Sequence, residues 1–129
     1  MRRKFKVLRT IGKELRTLRR AKDITIAEVA DKVGISTTYM SEIERDLKSP
    51  SDEVIIKLSN VLEVPEVELF DGFNKIPESV EKELLDDNPL LDILYEISNE
   101  PIFTKKEKKD FYKTIMSTYD TMKKSKLDK

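Results

Sequence analysis

The 129-residue sequence contains no histidine, cysteine or tryptophan, and only three glycines. Without His or Cys there is no Ser-His-Asp or Cys-His nucleophile pair, no Cys/His zinc site and no disulfide framework. No apolar run approaches the roughly 18 residues needed to span a membrane. The basic N-terminus is not followed by an apolar stretch of the signal-peptide kind. These absences predict a cytoplasmic protein with no membrane segment, metal or other cofactor. Carboxylate neighbours such as Asp86 and Asp87 lie in an acidic run without a partner base, so no enzyme is expected and binding is.

The charges are abundant and cancel: 25 Lys and Arg stand against 25 Asp and Glu. They are also segregated. Residues 1–50 carry 13 basic and 7 acidic side chains, residues 51–103 carry 3 and 14, and residues 104–129 carry 9 and 4. Within residues 2–22, ten basic residues face Glu14 alone. Asymmetry of this kind points one end of a chain at a polyanion. The lysines of 104–129 read as a solvated helix face.

Apolar residues recur at three and four, which predicts an all-α chain. Phe5, Leu8, Ile11, Leu15 and Leu18 outline a first helix over residues 7–22. Thr25 is an N-cap for a second helix bearing Ile26, Val29, Ala30 and Val33, and Gly34 stops it. Ser36 caps a third, with Met40 and Ile43 on its inner face. Pro50 and Ser51 introduce a fourth, with Asp52 and Glu53 near the positive end of its dipole. Pro65 suits the first turn of a short fifth helix. The break at Asp71-Gly72, resuming after Pro77, is the expected linker. It divides the chain into domains 7–71 and 77–124. In the second, residues 77–86, the Asn88-Pro89 start and the Thr104/Glu107 capping box announce further helices.

Residues 26–45 satisfy the demands of a helix-turn-helix. Two helices that cross through a three- or four-residue turn need a small residue at their contact, and Ala30 supplies it. The turn needs a residue that accepts positive φ, and Gly34 supplies that. Val29, Val33, Ile35, Met40 and Ile43 provide apolar inner faces. The alternative is an αα-hairpin of the same shape used only for packing.

This segment resembles the helix-turn-helix family of lambda repressor and Cro, the XRE family, over about residues 10–70. The likeness includes Ile11-Gly12-Lys13-Glu14-Leu15-Arg16, Ile43-Glu44 followed by Pro50-Ser51, and Lys57-Leu58-Ser59-Asn60-Val61-Leu62-Glu63-Val64. It implies a five-helix lambda-repressor-like DNA-binding domain with a short helical C-terminal extension. It also implies a homodimer on an inverted repeat of double-stranded DNA, with third helices about 34 Å apart in successive major grooves.

By that resemblance Thr37, Thr38, Ser41 and Glu42 fall where the family reads bases. Thr offers a hydroxyl and a methyl, and Glu accepts from cytosine N4. No Gln or Arg stands at Thr37, Thr38 or Ser41, which shifts the expected specificity toward DNA shape. Ser36, Tyr39, Arg45, Lys48 and Ser49 are the expected phosphate contacts, joined by the amides that open helices 2 and 4. Arg9, Lys13 and Arg16 add to the positive field. Arg19 and Glu44 occupy positions that form an internal ion pair in related repressors. Three departures stand out. Ile26 replaces a common phosphate-bonding Gln, Asp46 replaces the Gly after helix 3, and Glu42 repels phosphate unless it finds a cytosine or a nearby Arg.

The implied function is a sequence-specific transcriptional regulator, a repressor that occupies paired half-sites. The apolar stripes Leu90/Leu91/Leu94/Ile97 and Phe111/Ile115/Tyr119/Met122 need cover. Intramolecular packing, a second copy, or a protein regulator or toxin bound through residues 77–124 would each provide it. The alternative function is the antitoxin of a toxin–antitoxin module that autoregulates through the same domain. A protein-binding module that has lost DNA affinity is a third.

Overall fold

Most of the helix starts are set by a short polar side chain that takes an otherwise unpaired amide. In the computed structural model, which describes residues 10–128, eight α-helices form among the described residues. α1 (Ile11–Ala21) begins at Thr10, whose hydroxyl accepts from the Lys13 amide at 3.2 Å. α2 (Ile26–Val33) opens on a reciprocal box, with Glu28 N–H donating to Thr25 Oγ1 and Thr25 N–H donating to Glu28 Oε1. It stops at Gly34, whose φ of 83° lies in the left-handed region that a side chain disfavours. α3 (Thr37–Glu44) starts at Ser36 and α4 (Asp52–Leu62) at Ser51. α5 (Glu66–Gly72) starts one residue after Pro65, which therefore precedes the first turn instead of standing in it.

α6 (Glu78–Leu85), α7 (Pro89–Asn99) and α8 (Lys105–Leu127) follow. The expected five helices with a short extension thus become five with three more, the last of them 23 residues long. Asn88 caps α7 through Leu90 N–H at 2.9 Å. The Thr104/Glu107 box opens α8. The Thr104 amide first, then its hydroxyl, hold the Glu107 carboxyl below its ordinary pKa. Phe5, Leu8, Arg9 and the start of the 7–71 span lie outside the described residues.

The described residues divide into two compact units, one ending at Lys82 and the other beginning at Glu83. The first therefore runs past the 71–77 gap read as a linker. The gap is short of slack because Lys75 and the Glu78 amide are both bonded to Asp52 of α4. Its core is Leu15 of α1, Val29, Ala30 and Val33 of α2, Met40 and Ile43 of α3, Ile55, Leu58 and Leu62 of α4, and Leu69 and Phe70 of α5. Truncating one of the larger of these to Ala costs about 2–5 kcal/mol in lost transfer energy and cavity. In the second unit no described side chain of α7 or α8 is buried. Leu91, Ile93, Phe111, Ile115, Met116, Tyr119 and Met122 all keep more than a third of their surface exposed. No helix among the described residues is long and apolar enough to cross a membrane.

Two charged side chains do enter the first core. Arg19 of α1 and Glu44 of α3 are 8% and 6% exposed and form a two-pronged pair, Nε–Oε2 at 2.7 Å and Nη2–Oε1 at 3.1 Å. Nη1 donates to the Ile24 carbonyl at 2.9 Å, so one guanidinium ties α1, the α1–α2 turn and the end of α3. Removing one partner leaves the other charge buried and unpaired. Arg19→Met and Glu44→Gln are each expected to lower the unfolding free energy by about 3–5 kcal/mol in urea titrations.

Candidate nucleic-acid interface

The turn that follows α2 decides which side of α3 meets solvent. Gly34 and the Ser36 cap start α3 so that Met40, Ile43 and Glu44 point into the core. Thr37 and Thr38 are left exposed, while Ser41 and Glu42 are half-buried. Arg45, one turn beyond Ser41, donates from Nε to the Ser41 hydroxyl at 3.3 Å. The face therefore presents two threonine hydroxyls and methyls, a serine, a carboxylate and a guanidinium.

The remaining sequence-predicted residues flank that face. Ser36 Oγ is engaged by the Tyr39 amide at 3.0 Å and retains a second lone pair and its own proton. Tyr39 is half-buried against the core. Lys48 and Ser49 stand exposed in the loop between α3 and α4, and Lys13 and Arg16 are exposed on α1. Ile26, at the first position of α2, packs on the edge of the core. An apolar side chain there gains burial where a Gln would offer a hydrogen bond. Among the described residues no group of three or more His, Cys, Asp or Glu side chains is arranged to hold a metal.

The α3–α4 loop is anchored by a contact that periodicity does not reveal. Asp46 has φ 62° and accepts the Gly12 amide on Oδ1 at 2.9 Å, across 34 residues. It thereby acts as a second cap on α1, from another part of the chain. A Cβ on Gly12 would lie 2.5 Å from the Glu44 carbonyl oxygen and 2.7 Å from Asp46 Oδ1, so only glycine lets α1 approach this closely. The one available signal was the pairing of Gly12 with an Asp at a position where the family commonly carries Gly.

A second contact missed by sequence reasoning lies at the start of α4. Asp52 Oδ1 meets Lys75 Nζ at 2.8 Å, and Oδ2 accepts the Glu78 amide at 2.9 Å. The Lys75 bond first, then the Glu78 amide, hold the Asp52 carboxyl below its ordinary pKa. No helical period connects residues 52, 75 and 78, so only the fold brings them together.

A helix-turn-helix family model matches residues 15–69 of the chain. The transcriptional regulator SinR of Bacillus subtilis is 38% identical over 55 residues, which cover 42% of this chain and 50% of SinR. The transcriptional regulator ClgR of Mycobacterium tuberculosis is 37% identical over 59 residues, covering 46% and 53%. Among solved structures, the master regulator for biofilm formation SinR in complex with DNA is 36% identical with a TM-score of 0.45. That match covers 48% of this chain and 100% of the other. The chain spans about half the length of the curated relatives it matches.

Substitution at Asp46 separates its two roles. Asp46→Ala loses the acceptor for Gly12 N–H and leaves a Cβ residue at positive φ, and is expected to cost about 1–2 kcal/mol. Asp46→Asn keeps both an acceptor and tolerance of the left-handed region, and should stay within about 0.5 kcal/mol of the parent in thermal and urea unfolding.

Proposed function

We propose, from the premise that residues 15–69 belong to the helix-turn-helix family of the lambda repressor and Cro-like type, that this chain is a sequence-specific DNA-binding transcriptional regulator. It acts by binding and not as an enzyme, most directly as a repressor that occupies an operator. The observation that carries this reading is the outward face of α3. It is exposed along Thr37 and Thr38, half-buried at Ser41 and Glu42, and bordered by exposed Arg45, Lys48 and Ser49.

In the major groove, Thr37 and Thr38 would meet base edges or thymine methyls, and Glu42 would accept from cytosine N4. Arg45 bonds the Ser41 hydroxyl one turn away, so it adds a positive charge to the face that carries Glu42. Ser36, Tyr39, Arg45, Lys48 and Ser49 would position the domain on phosphates. An inverted-repeat operator bound by a homodimer then follows from the two-fold geometry of paired half-sites. For the whole chain, α7 and α8 support a partner-binding role. They enclose a cleft of about 730 Å³ with apolar walls from Ile93, Ile97, Ile102, Phe103 and Phe111. A second copy is the occupant we assign, and a protein regulator or toxin is the alternative that an antitoxin would require.

DNA selected from a random duplex pool, compared with scrambled duplex across a salt series, tests the first part. The wild type should prefer the selected duplex. Thr37→Ala and Thr38→Ala should each erode that preference by about 0.5–1.5 kcal/mol, the size of one ordinary hydrogen bond, while leaving scrambled DNA unaffected. Lys48→Ala should weaken both duplexes alike and flatten the salt slope by about 0.9. Equal wild-type affinity for the two duplexes sinks specific recognition. For the second part, sedimentation should give a dimer that Ile115→Lys converts to monomer, whereas a monomeric wild type removes the homodimer.

A further inference from the structure

The segment after α5 is held in place by its own turn. Phe73 packs against the core, Asn74 takes a left-handed φ of 55°, and the Lys75 amide donates back to the Phe70 carbonyl at 2.9 Å. This turn delivers the Lys75 ammonium to the start of α4. There it donates to the Pro50 carbonyl at 3.1 Å and pairs with Asp52 at 2.8 Å. Lys75 lies beyond residue 69, where the family match ends.

Asp52 is the first residue of α4, three positions after Ser49 and four after Lys48. A carboxylate here suits the helix dipole, and it is therefore stable in place. It also sets a negative charge beside the loop that our reading, on which this inference rests, assigns to DNA phosphates. The amides of the first helical turn point outward without intrahelical acceptors, so an unpaired carboxylate would compete with phosphate for the same positive region. Glu53, next in the chain, is exposed and pairs with Lys57 one turn along. Asp52 needs a cation from elsewhere.

We propose that Lys75 is a positioning residue for phosphate recognition, which neutralises Asp52 at the entrance of α4 and holds its carboxylate against the 75–78 segment. The Glu78 amide is the second restraint, because it fixes the other carboxylate oxygen. The polypeptide just outside the matched family region thus determines how negative the DNA-facing edge is.

The two halves of this ion pair give opposite signs in binding and the same sign in stability, which makes the role separable from a structural one. Binding of the full-length chain to a short mixed-sequence duplex should fall roughly three- to tenfold in Lys75→Met, the size expected of one unit charge several ångströms from a phosphate in partly screened solvent. That loss should shrink as salt is raised. Asp52→Asn should bind at least as tightly as wild type, and the double variant should return to within about twofold of it. Thermal midpoints should fall modestly in both single variants. If Lys75→Met and Asp52→Asn weaken binding together, or if Asp52→Asn fails to rescue Lys75→Met, Lys75 has only a structural role. Unchanged binding in Lys75→Met overturns the proposal while leaving the DNA-binding reading intact. A wild type that binds no duplex at any salt overturns both.

Discussion

A buried guanidinium–carboxylate pair fixes the orientation of α3. Arg19 reaches from α1 to Glu44 at the last turn of α3, and its third donor takes the Ile24 carbonyl. Two charges removed from water are tolerated only where every donor and acceptor is well matched, and this geometry allows one relative placement of the helices. Gly12 extends the same constraint, since α1 must lie against the Glu44 backbone closely enough to exclude a Cβ. With α1 and α3 locked, the turn at Gly34 leaves one face of α3 for the core and the opposite face for solvent.

A chain with as many acids as bases must dispose of its carboxylates if one edge is to attract a polyanion. Along this edge they are occupied. Glu44 is buried on Arg19, Asp46 accepts the Gly12 amide and Asp52 is shared between Lys75 and the Glu78 amide. At the far side of α4, Glu63 pairs with Lys22 at 2.8 Å, and that contact keeps its carboxyl below the ordinary pKa. Glu42 differs, half-buried on the outward face of α3. The neutral total is thus compatible with a positive edge, because local pairing and segregation along the chain act at distances shorter than the screening length.

The two units are built on different principles. Among the described residues, the first buries apolar side chains from each of α1 to α5. The second is long in helix and poor in burial, with aromatic and aliphatic residues of α8 left open. Its helices hold their local form through the Thr104/Glu107 and Asn88 caps and through helix-forming composition. A face of that kind gains most when another surface covers it.

Much of the site was legible from local chemistry. Thr25, Gly34, Ser36, Asn88 and Thr104 announce helix ends because capping involves residues three apart or fewer. The exposed positions Thr37, Thr38, Ser41 and Glu42 follow from a 3.6-residue period once Met40 and Ile43 are placed inside. The resemblance supplied Arg19 with Glu44, a pair that no period predicts. What the sequence alone determined was therefore the helices, their caps and the outward face of α3, all consequences of interactions within one or two turns. The tertiary structure decided the rest: Asp46 on Gly12, Asp52 between Lys75 and Glu78, and a first unit that runs past its expected linker. Those contacts span 23 to 34 residues, and only the packed helices bring their partners within hydrogen-bonding distance.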